Sequence, residues 1–306
     1  MHALRASVQI TTRPADTPPT EAELAELVPG HDAVLCQLTE PMSRMVLEAG
    51  AAAGLRLVSQ VAVGLDNVDL AACADLGIAV AHTPGVLTDA TADLTMALLL
   101  AAARRLPEAE RYLRAGRWDV WSLDLMAGLE LRGAVLGIVG LGRIGQAVAA
   151  RARGFGMRIC YASPRRAPSD VEASLQAEWL PLDTLLARAD VISLHVPLSA
   201  DTHHLLSRAR LGSVKDGAIL VNTSRGGLIE EATLADALQT GPLAFAALDV
   251  FEEEPRVHPS LLDRHDVLLV PHIGSATRAT RLRMAQLATD AVLDFAAGRP
   301  LQHPAR

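Results

Sequence analysis

Lysine is almost missing from this 306-residue chain. Lys215 is the only one, and nearly all of the 28 basic residues are arginines. Against 35 acidic residues they leave a formal net charge of −7 with no basic cluster, which argues against a nucleic-acid partner. Cysteine is scarce too. Cys36, Cys73 and Cys160 have neither metal-ligand nor disulfide-framework spacing, and each falls in an apolar run, so they are expected to fill core. Aromatic residues make up 3% of a chain that is 50% hydrophobic, which leaves the core to Ala, Leu and Val. The longest apolar run, Leu94 to Ala103, is too short to span a bilayer and is flanked by Asp93 and Arg104. No basic-then-apolar segment opens the chain, and no repeat, low-complexity tract or flexible linker interrupts it. The ten histidines show no metal-ligand spacing, so no catalytic metal is expected. The expectation is a soluble, cytoplasmic protein of one or two domains, without a membrane partner.

What is present is concentrated in Leu136-Gly137-Ile138-Val139-Gly140-Leu141-Gly142-Arg143-Ile144-Gly145-Gln146. The strand-like stretch Ala134–Val139 runs into a glycine turn, and Ile144 to Phe155 then carries a helical apolar pattern. In such a unit Gly140 permits the tight turn, Gly142 lets backbone approach a pyrophosphate, and Gly145 allows close helix–strand packing. Unpaired N–H groups and the positive end of the helix dipole then face the phosphates. Gly140, Leu141, Gly142, Arg143, Ile144 and Gly145 are therefore assigned to a dinucleotide.

The next strand, Arg158–Ala162, arrives about twenty residues on, where an NAD site usually offers Asp or Glu to the ribose 2′-hydroxyl. Here the chain offers Ala162, Ser163 and then Pro164-Arg165-Arg166. No carboxylate repels a 2′-phosphate, and two guanidiniums are available to hold one, so NADPH is expected in preference to NADH.

Strand-like runs recur at Val191–Val196, Ala218–Asn222, Ala244–Val250 and Val267–Val270, with helical stretches such as Leu182–Ala189 and Glu230–Gln239 between them. The alternation predicts a parallel, doubly wound sheet over about residues 81–273. A helix over Asp89–Arg105, capped by Thr88, leads into it. Strands at Ala33–Leu38 and Leu57–Gln60, helices at Glu21–Leu27 and Arg44–Ala52, and a long helix at Ala276–Ala297 predict a smaller domain built from both chain ends, residues 1–80 and 274–306.

Three segments place polar residues just past predicted strands: Val221-Asn222-Thr223-Ser224-Arg225-Gly226-Gly227, Leu248-Asp249-Val250-Phe251-Glu252-Glu253-Glu254-Pro255, and Val270-Pro271-His272-Ile273-Gly274-Ser275. Ligands of open parallel sheets sit beyond the carboxyl ends of the strands, so these segments are expected to converge beside the nicotinamide. With Val61-Ala62-Val63-Gly64-Leu65-Asp66-Asn67-Val68-Asp69 and Thr83-Pro84-Gly85-Val86-Leu87-Thr88-Asp89-Ala90-Thr91-Ala92-Asp93-Leu94, they make the chain resemble the D-2-hydroxyacid dehydrogenases from Ala33 to Pro300. Within that family it is most similar to the glyoxylate/hydroxypyruvate reductases.

The resemblance implies an α/β architecture, a Rossmann nucleotide domain inserted in a smaller flavodoxin-like substrate domain. It implies a catalytic trio of Arg225, Glu254 and His272 acting on a small 2-oxo acid. A guanidinium suits a carboxylate and a polarised carbonyl, an imidazolium protonates the forming alkoxide, and a carboxylate orients the ring. A surface-loop role for Arg225 is disfavoured by Arg-Gly-Gly directly after an apolar strand, Glu254 belongs to an acidic run usual in solvated turns, and only its place before Pro255 selects it over Glu252 and Glu253. His195 reads as a strand residue lining the cofactor cleft, and neither His258 nor His265 has supporting context. By the same resemblance Ser163, Pro197, Thr223, Asp249 and Gly274 line the cofactor, and Leu38, Val63, Gly64 and Ser275 join Arg225 and His272 at the substrate, with the Val63 and Gly64 amides on its carboxylate. The segment Arg117-Trp118-Asp119-Val120-Trp121 is similar to one at the family's dimer interface, which implies a homodimer built through Trp118 or Trp121.

Family members commonly begin with a strand and helix ahead of the matching part. The Thr/Pro-rich opening, residues 1–19, is expected to start at the family's second strand, leaving the first βα unit missing. The absence of a C-terminal extension weighs against the longer phosphoglycerate dehydrogenases. The same trio would serve a dehydrogenase of D-lactate, of a bulkier 2-keto acid or of phosphite, with residues near Leu38 and Thr39 and the tryptophans deciding. A nucleotide-sensing corepressor-like protein is the alternative from another class, and the intact trio argues against a purely non-catalytic role.

Overall fold

A computed structural model describes residues 7–13 and 17–305, so part of the opening expected to start at the family's second strand, residues 1–6 and 14–16, lies outside the described residues. The chain divides into two compact units, residues 1–87 with 276–306, and residues 88–275. No helix among the described residues is long and apolar enough to cross a membrane.

The first unit contains α1 (Glu21–Leu27), β1 (Ala33–Cys36), α2 (Arg44–Ala52), β2 (Leu57–Gln60), α3 (Leu70–Asp75) and β3 (Ala79–Ala81). The three strands are parallel, in the order β1-β2-β3. Thr20 and Glu23 form a reciprocal capping box that starts α1. The C-terminal helix, Arg278–Ala296, packs against β2, where the buried Ser59 hydroxyl donates to the Ala288 carbonyl at 2.9 Å. Strand β1 stops at Cys36, short of the expected Leu38, because the Glu40 carboxylate takes the Gln37 amide. Cys36 and Cys73 lie in this core, and burial pushes their thiols up to about 12 and about 11.

The second unit runs α4 (Thr88–Ala103), α5 (Leu106–Arg114), β4 (Val135–Val139), α6 (Arg143–Gly154), β5 (Arg158–Ala162), α7 (Ser169–Leu175), β6 (Ala177–Trp179), α8 (Leu182–Arg188), β7 (Val191–Leu194), α9 (Arg208–Leu211), β8 (Ala218–Asn222), α10 (Glu231–Thr240), β9 (Leu243–Leu248), α11 (Pro259–Leu262) and β10 (Val267–Leu269). Its seven strands are all parallel, in the order β10-β9-β8-β7-β4-β5-β6. The order reverses beside β4, whose neighbours are β5 and β7, and this switch point opens a crevice at the carboxyl ends of β4 and β7.

Every residue of β4 is buried, as a strand covered on both faces requires. Val135 and Val139 enter one core with Leu185 and Leu186 of α8, while Leu136 and Ile138 enter the other with Leu98 and Leu99 of α4 and Val148 of α6. Full burial of one such side chain contributes about 1.5–3 kcal/mol. At Gly137 a Cβ would lie 2.6 Å from Leu185 Cδ2, so α8 packs directly on the strand backbone.

Thr88 is the first residue of α4 rather than its cap. Strand β7 ends at Leu194, two residues before the expected end, ahead of Pro197, which has no N–H to pair. The three-residue strands β3 and β6 are too short for an alternation pattern and were not predicted.

Candidate active site

The glycine loop lies at the switch point. Gly140 has φ +97°, and a Cβ there would lie 2.7 Å from the His195 carbonyl oxygen, so only glycine fits where β4 meets the end of β7. At Gly145 a Cβ would lie 2.3 Å from the Gly140 oxygen, whereas none would meet anything within 4 Å at Gly142. The open side of Gly142 is the approach to the start of α6, whose first helical bond runs from Gln146 N to Gly142 O at 2.9 Å. The amides ahead of Gln146 therefore have no partner within the helix, which suits a pyrophosphate. The residues present fit a dinucleotide.

Ser163 is tied to this loop, its hydroxyl accepting from the Leu141 amide at 3.0 Å. Beyond it the two expected arginines separate. Arg166 is bidentate to Glu172, Nε to Oε1 at 2.8 Å and Nη2 to Oε2 at 2.9 Å. Glu172 also accepts from the Tyr161 hydroxyl at 2.6 Å, and Arg166 and Tyr161 hold its carboxyl below the usual range. Arg165 is exposed and has no hydrogen-bond or ion-pair partner among the described residues. The pair expected to share one task thus offers a single uncommitted guanidinium.

On the other side of the switch point, His195 follows β7 with its Nε2 2.8 Å from Ser193 Oγ. Enclosure by protein pushes its pKa down to about 4, although part of the residue reaches solvent. Pro197 continues this loop, its carbonyl accepting from the Thr202 hydroxyl at 2.7 Å. Thr223 is buried past β8, its hydroxyl 2.8 Å from that of Thr95 on α4.

His272, Glu254 and Arg225 are carried by loops after three neighbouring strands, β10, β9 and β8. His272 Nδ1 lies 2.7 Å from Glu254 Oε2, and the other carboxylate oxygen, Oε1, accepts from the Phe251 amide at 3.0 Å. An ionised carboxylate only accepts, so Nδ1 carries the hydrogen and Nε2 faces away from Glu254. The His272 backbone is left-handed, with φ +49°, a conformation that costs a non-glycine residue about 1–3 kcal/mol. Its amide donates to the Asp249 carbonyl at 2.8 Å, and the buried Asp249 carboxylate accepts from the amides of Ile273 at 2.6 Å and Gly274 at 2.8 Å. Burial raises the Asp249 pKa.

Arg225 is braced from both sides. Asn222 donates from Nδ2 to the Arg225 carbonyl at 2.8 Å and accepts at Oδ1 from the Ser224 amide at 3.0 Å. A Cβ on Gly226 would sit 1.8 Å from the Phe251 carbonyl carbon, so the turn after Arg225 lies directly on the loop that carries Glu254. The buried Glu231 fastens the same loop, accepting at 2.7 Å from both the Glu252 and the His258 amides. Glu231 and Asn222 were not singled out in the sequence. The only signal for Glu231 is an acidic residue at the start of a predicted helix, where dipole and cap explain it equally well.

In the first unit Leu38 follows β1 and Val63 and Gly64 follow β2, all three half-buried beyond adjacent strands. Gln60 Nε2 donates to Asn67 Oδ1 at 2.7 Å, and Asn67 donates to the Gln37 and Glu40 carbonyls at 2.9 and 2.8 Å, which binds the two loops together. Ser275 closes the His272 loop, in the second unit. Trp118, Trp121 and Leu123 are exposed by 56%, 69% and 88%, and α5 buries no residue. Both tryptophans are thus largely uncovered in the single chain.

Comparison with known proteins places these features in a family. The sequence profile for the D-isomer specific 2-hydroxyacid dehydrogenase, NAD binding domain, matches residues 96–274. A glyoxylate reductase of Korarchaeum cryptofilum is 47% identical over 286 residues, covering 92% of this chain and 85% of the relative. Among solved structures, the TT0316 protein of Thermus thermophilus superposes with a TM-score of 0.86 at 45% identity, covering 94% of this chain and 89% of the other. A glyoxylate reductase of Paecilomyes thermophila gives 0.89 at 33% identity, with 99% and 93% covered.

Proposed function

Because the chain belongs to the D-isomer specific 2-hydroxyacid dehydrogenase family, we propose that it reduces small 2-oxo acids of the glyoxylate and hydroxypyruvate type to D-2-hydroxy acids with NADPH. The observation that carries this reading is the His272–Glu254 pair, with Arg225 held on the adjoining loop. A nicotinamide held by the glycine loop would supply the hydride for the carbonyl carbon. His272 in its doubly protonated form gives its Nε2 proton to the carbonyl oxygen as that oxygen gains charge. Glu254 keeps the ring oriented and balances its charge. The Arg225 guanidinium binds the substrate carboxylate and polarises the carbonyl. Leu38, Val63, Gly64 and Ser275 are substrate-binding proposals carried by the family resemblance.

Of the two arginines after β5, Arg165 is the proposed 2′-phosphate ligand, because Arg166 is already paired with Glu172. The exposed Trp118–Leu123 segment is proposed as a homodimer interface, since large apolar side chains clustered on the surface favour burial. The deciding assay follows cofactor oxidation with glyoxylate, hydroxypyruvate and pyruvate, each with NADPH and with NADH. Fast turnover of the two small acids with NADPH is expected. Turnover of pyruvate alone would move the substrate to the lactate type. Cofactor binding without reduction of any 2-oxo acid would overturn the enzymatic reading.

A further inference from the structure

Histidine spacing along the sequence predicts no metal, yet folding brings two histidines and a carboxylate together on loops beside the trio. His203 and His204 lie in the connection after β7 and Glu252 in the one after β9. One potential ligand atom from each lies within 4.8 Å of the others. We propose that His203, His204 and Glu252 form a binding site for a divalent transition-metal ion of the zinc class, which clamps the loops carrying Arg225 and Glu254.

The backbone around the cluster is already set. The His203 amide donates to the Ser199 carbonyl at 2.9 Å and the His204 amide to the Gly227 carbonyl at 2.8 Å. His204 adopts φ +49°, which lets two consecutive residues present their rings together, with centroids 3.8 Å apart and planes inclined by 31°. Successive side chains in an extended strand point to opposite faces, so this turn is what pairs them. Glu252 is equally constrained. Its Oε1 lies 2.6 Å from His204 Nε2, its Oε2 accepts from the Glu231 amide at 3.3 Å, and its own amide donates to Glu231 Oε1 at 2.7 Å. A metal entering here displaces one hydrogen bond and moves little backbone.

The donor set defines the ion. Two imidazole nitrogens and one carboxylate oxygen suit zinc, cobalt, nickel or copper and leave a fourth position for water, whereas calcium and magnesium prefer all-oxygen shells. His203 and Glu252 are exposed, so solvent supplies both the entry path and the fourth ligand. His203 also packs near Gly227, in the turn that follows Arg225, and Glu252 stands two residues before Glu254. A bound ion would therefore tie the His203 turn, the Arg225 turn and the Glu254 loop to one point. The site takes no part in the reduction itself and stands or falls independently of it.

The test is calorimetric titration of the tag-free, chelator-treated full chain with zinc chloride, supported by the visible spectrum of its cobalt(II) form. One equivalent should bind, cobalt should show the intense bands of tetrahedral nitrogen–oxygen coordination, and zinc should raise the thermal midpoint. Loss of a second-sphere partner alone weakens metal sites by about 10–100-fold, so His203→Ala and Glu252→Gln should each weaken zinc binding by at least about tenfold. His203→Ala removes an exposed ring, and its metal-free thermal midpoint, matched to the parent's, verifies folding. If that variant is less stable, the cobalt spectrum of the parent decides, because octahedral weak bands there overturn the proposal. Absence of saturable zinc binding, or equal affinity in parent and His203→Ala, overturns it as well.

Discussion

His272 and Glu254 are 18 residues apart in sequence, and their side chains meet at 2.7 Å. The contact exists because β9 and β10 are parallel neighbours whose following loops emerge at the same edge. Each partner is anchored separately, Glu254 by the Phe251 amide and the His272 backbone by Asp249. The ring is thus held before any substrate arrives, as general acid catalysis at a fixed distance requires.

Replacing His272 by Ala should lower turnover of glyoxylate by at least about 10²-fold, the lower end of what a positioned general acid contributes. Cofactor affinity, read by quenching or enhancement of fluorescence on titration, should stay near that of the parent. Glu254→Gln should lower turnover while leaving KM almost unchanged, because the amide no longer fixes the tautomer. Near-normal turnover in His272→Ala would remove His272 from the mechanism.

Arg165→Asp should weaken NADPH binding relative to NADH, if Arg165 holds the 2′-phosphate as proposed. A hydrogen bond to a charged group contributes about 1.5–3 kcal/mol, which is about 10–150-fold in NADPH affinity. Arg166→Ala should have a smaller direct effect on the cofactor, since that guanidinium is engaged with Glu172. Dissociation constants for both cofactors in the two variants decide the matter, and equal NADPH loss in both would contradict the division of roles.

Acid should destabilise the protein through His195. Its folded-state pKa of about 4 lies below the ordinary 6.5, so between those values the unfolded chain binds a proton that the folded chain refuses. Stability is therefore intact above pH 6.5, falls as the pH drops toward 4, and falls no further from this source below that. The loss amounts to about 3 kcal/mol at most, reduced by the water that reaches part of the residue. Denaturant unfolding of the parent and His195→Gln across this range should give curves of different slope against pH. Parallel curves would show that this ring binds protons alike in the folded and unfolded states and would overturn the prediction.

Trp121→Ala should shift a dimer toward monomer at a given concentration in sedimentation velocity. The ring is 69% exposed in the single chain, so its removal costs little internal packing. Unchanged sedimentation in Trp121→Ala and Trp118→Ala would place the interface elsewhere.

The legible part of this protein was its strongly patterned part. Strand β2 and helices α1 and α2 occupy the predicted residues, and the glycine loop has the clearances its motif implies. Apolar positions at helical spacing in α1 and α2, and an apolar run into a glycine turn at β4, leave little choice of element. The three-residue strands β3 and β6 carry no such signal, and their pairing with β2 and β5 makes them strands.

Glu252, Glu253 and Glu254 are adjacent in sequence and separate in space. Three identical carboxylates in a row go to three destinations: Glu252 to His204, Glu253 to Arg256 at 3.1 Å, and Glu254 to His272. Arg165 and Arg166 divide in the same way, one free of partners among the described residues and one clasped by Glu172. The alternation of strands and helices and the nucleotide turn were readable along the chain, because they depend on local periodicity and on a short motif with backbone constraints of its own, whereas Arg225, Glu254 and His272 were candidates only through the family resemblance. Which carboxylate faces which cation, the fastening of the Glu254 loop by Glu231, and the meeting of His203, His204 and Glu252 all come from the packing of the loops in space. Charge pairs act over a few ångströms in space, and parallel β-strands bring together loops that lie tens of residues apart along the chain.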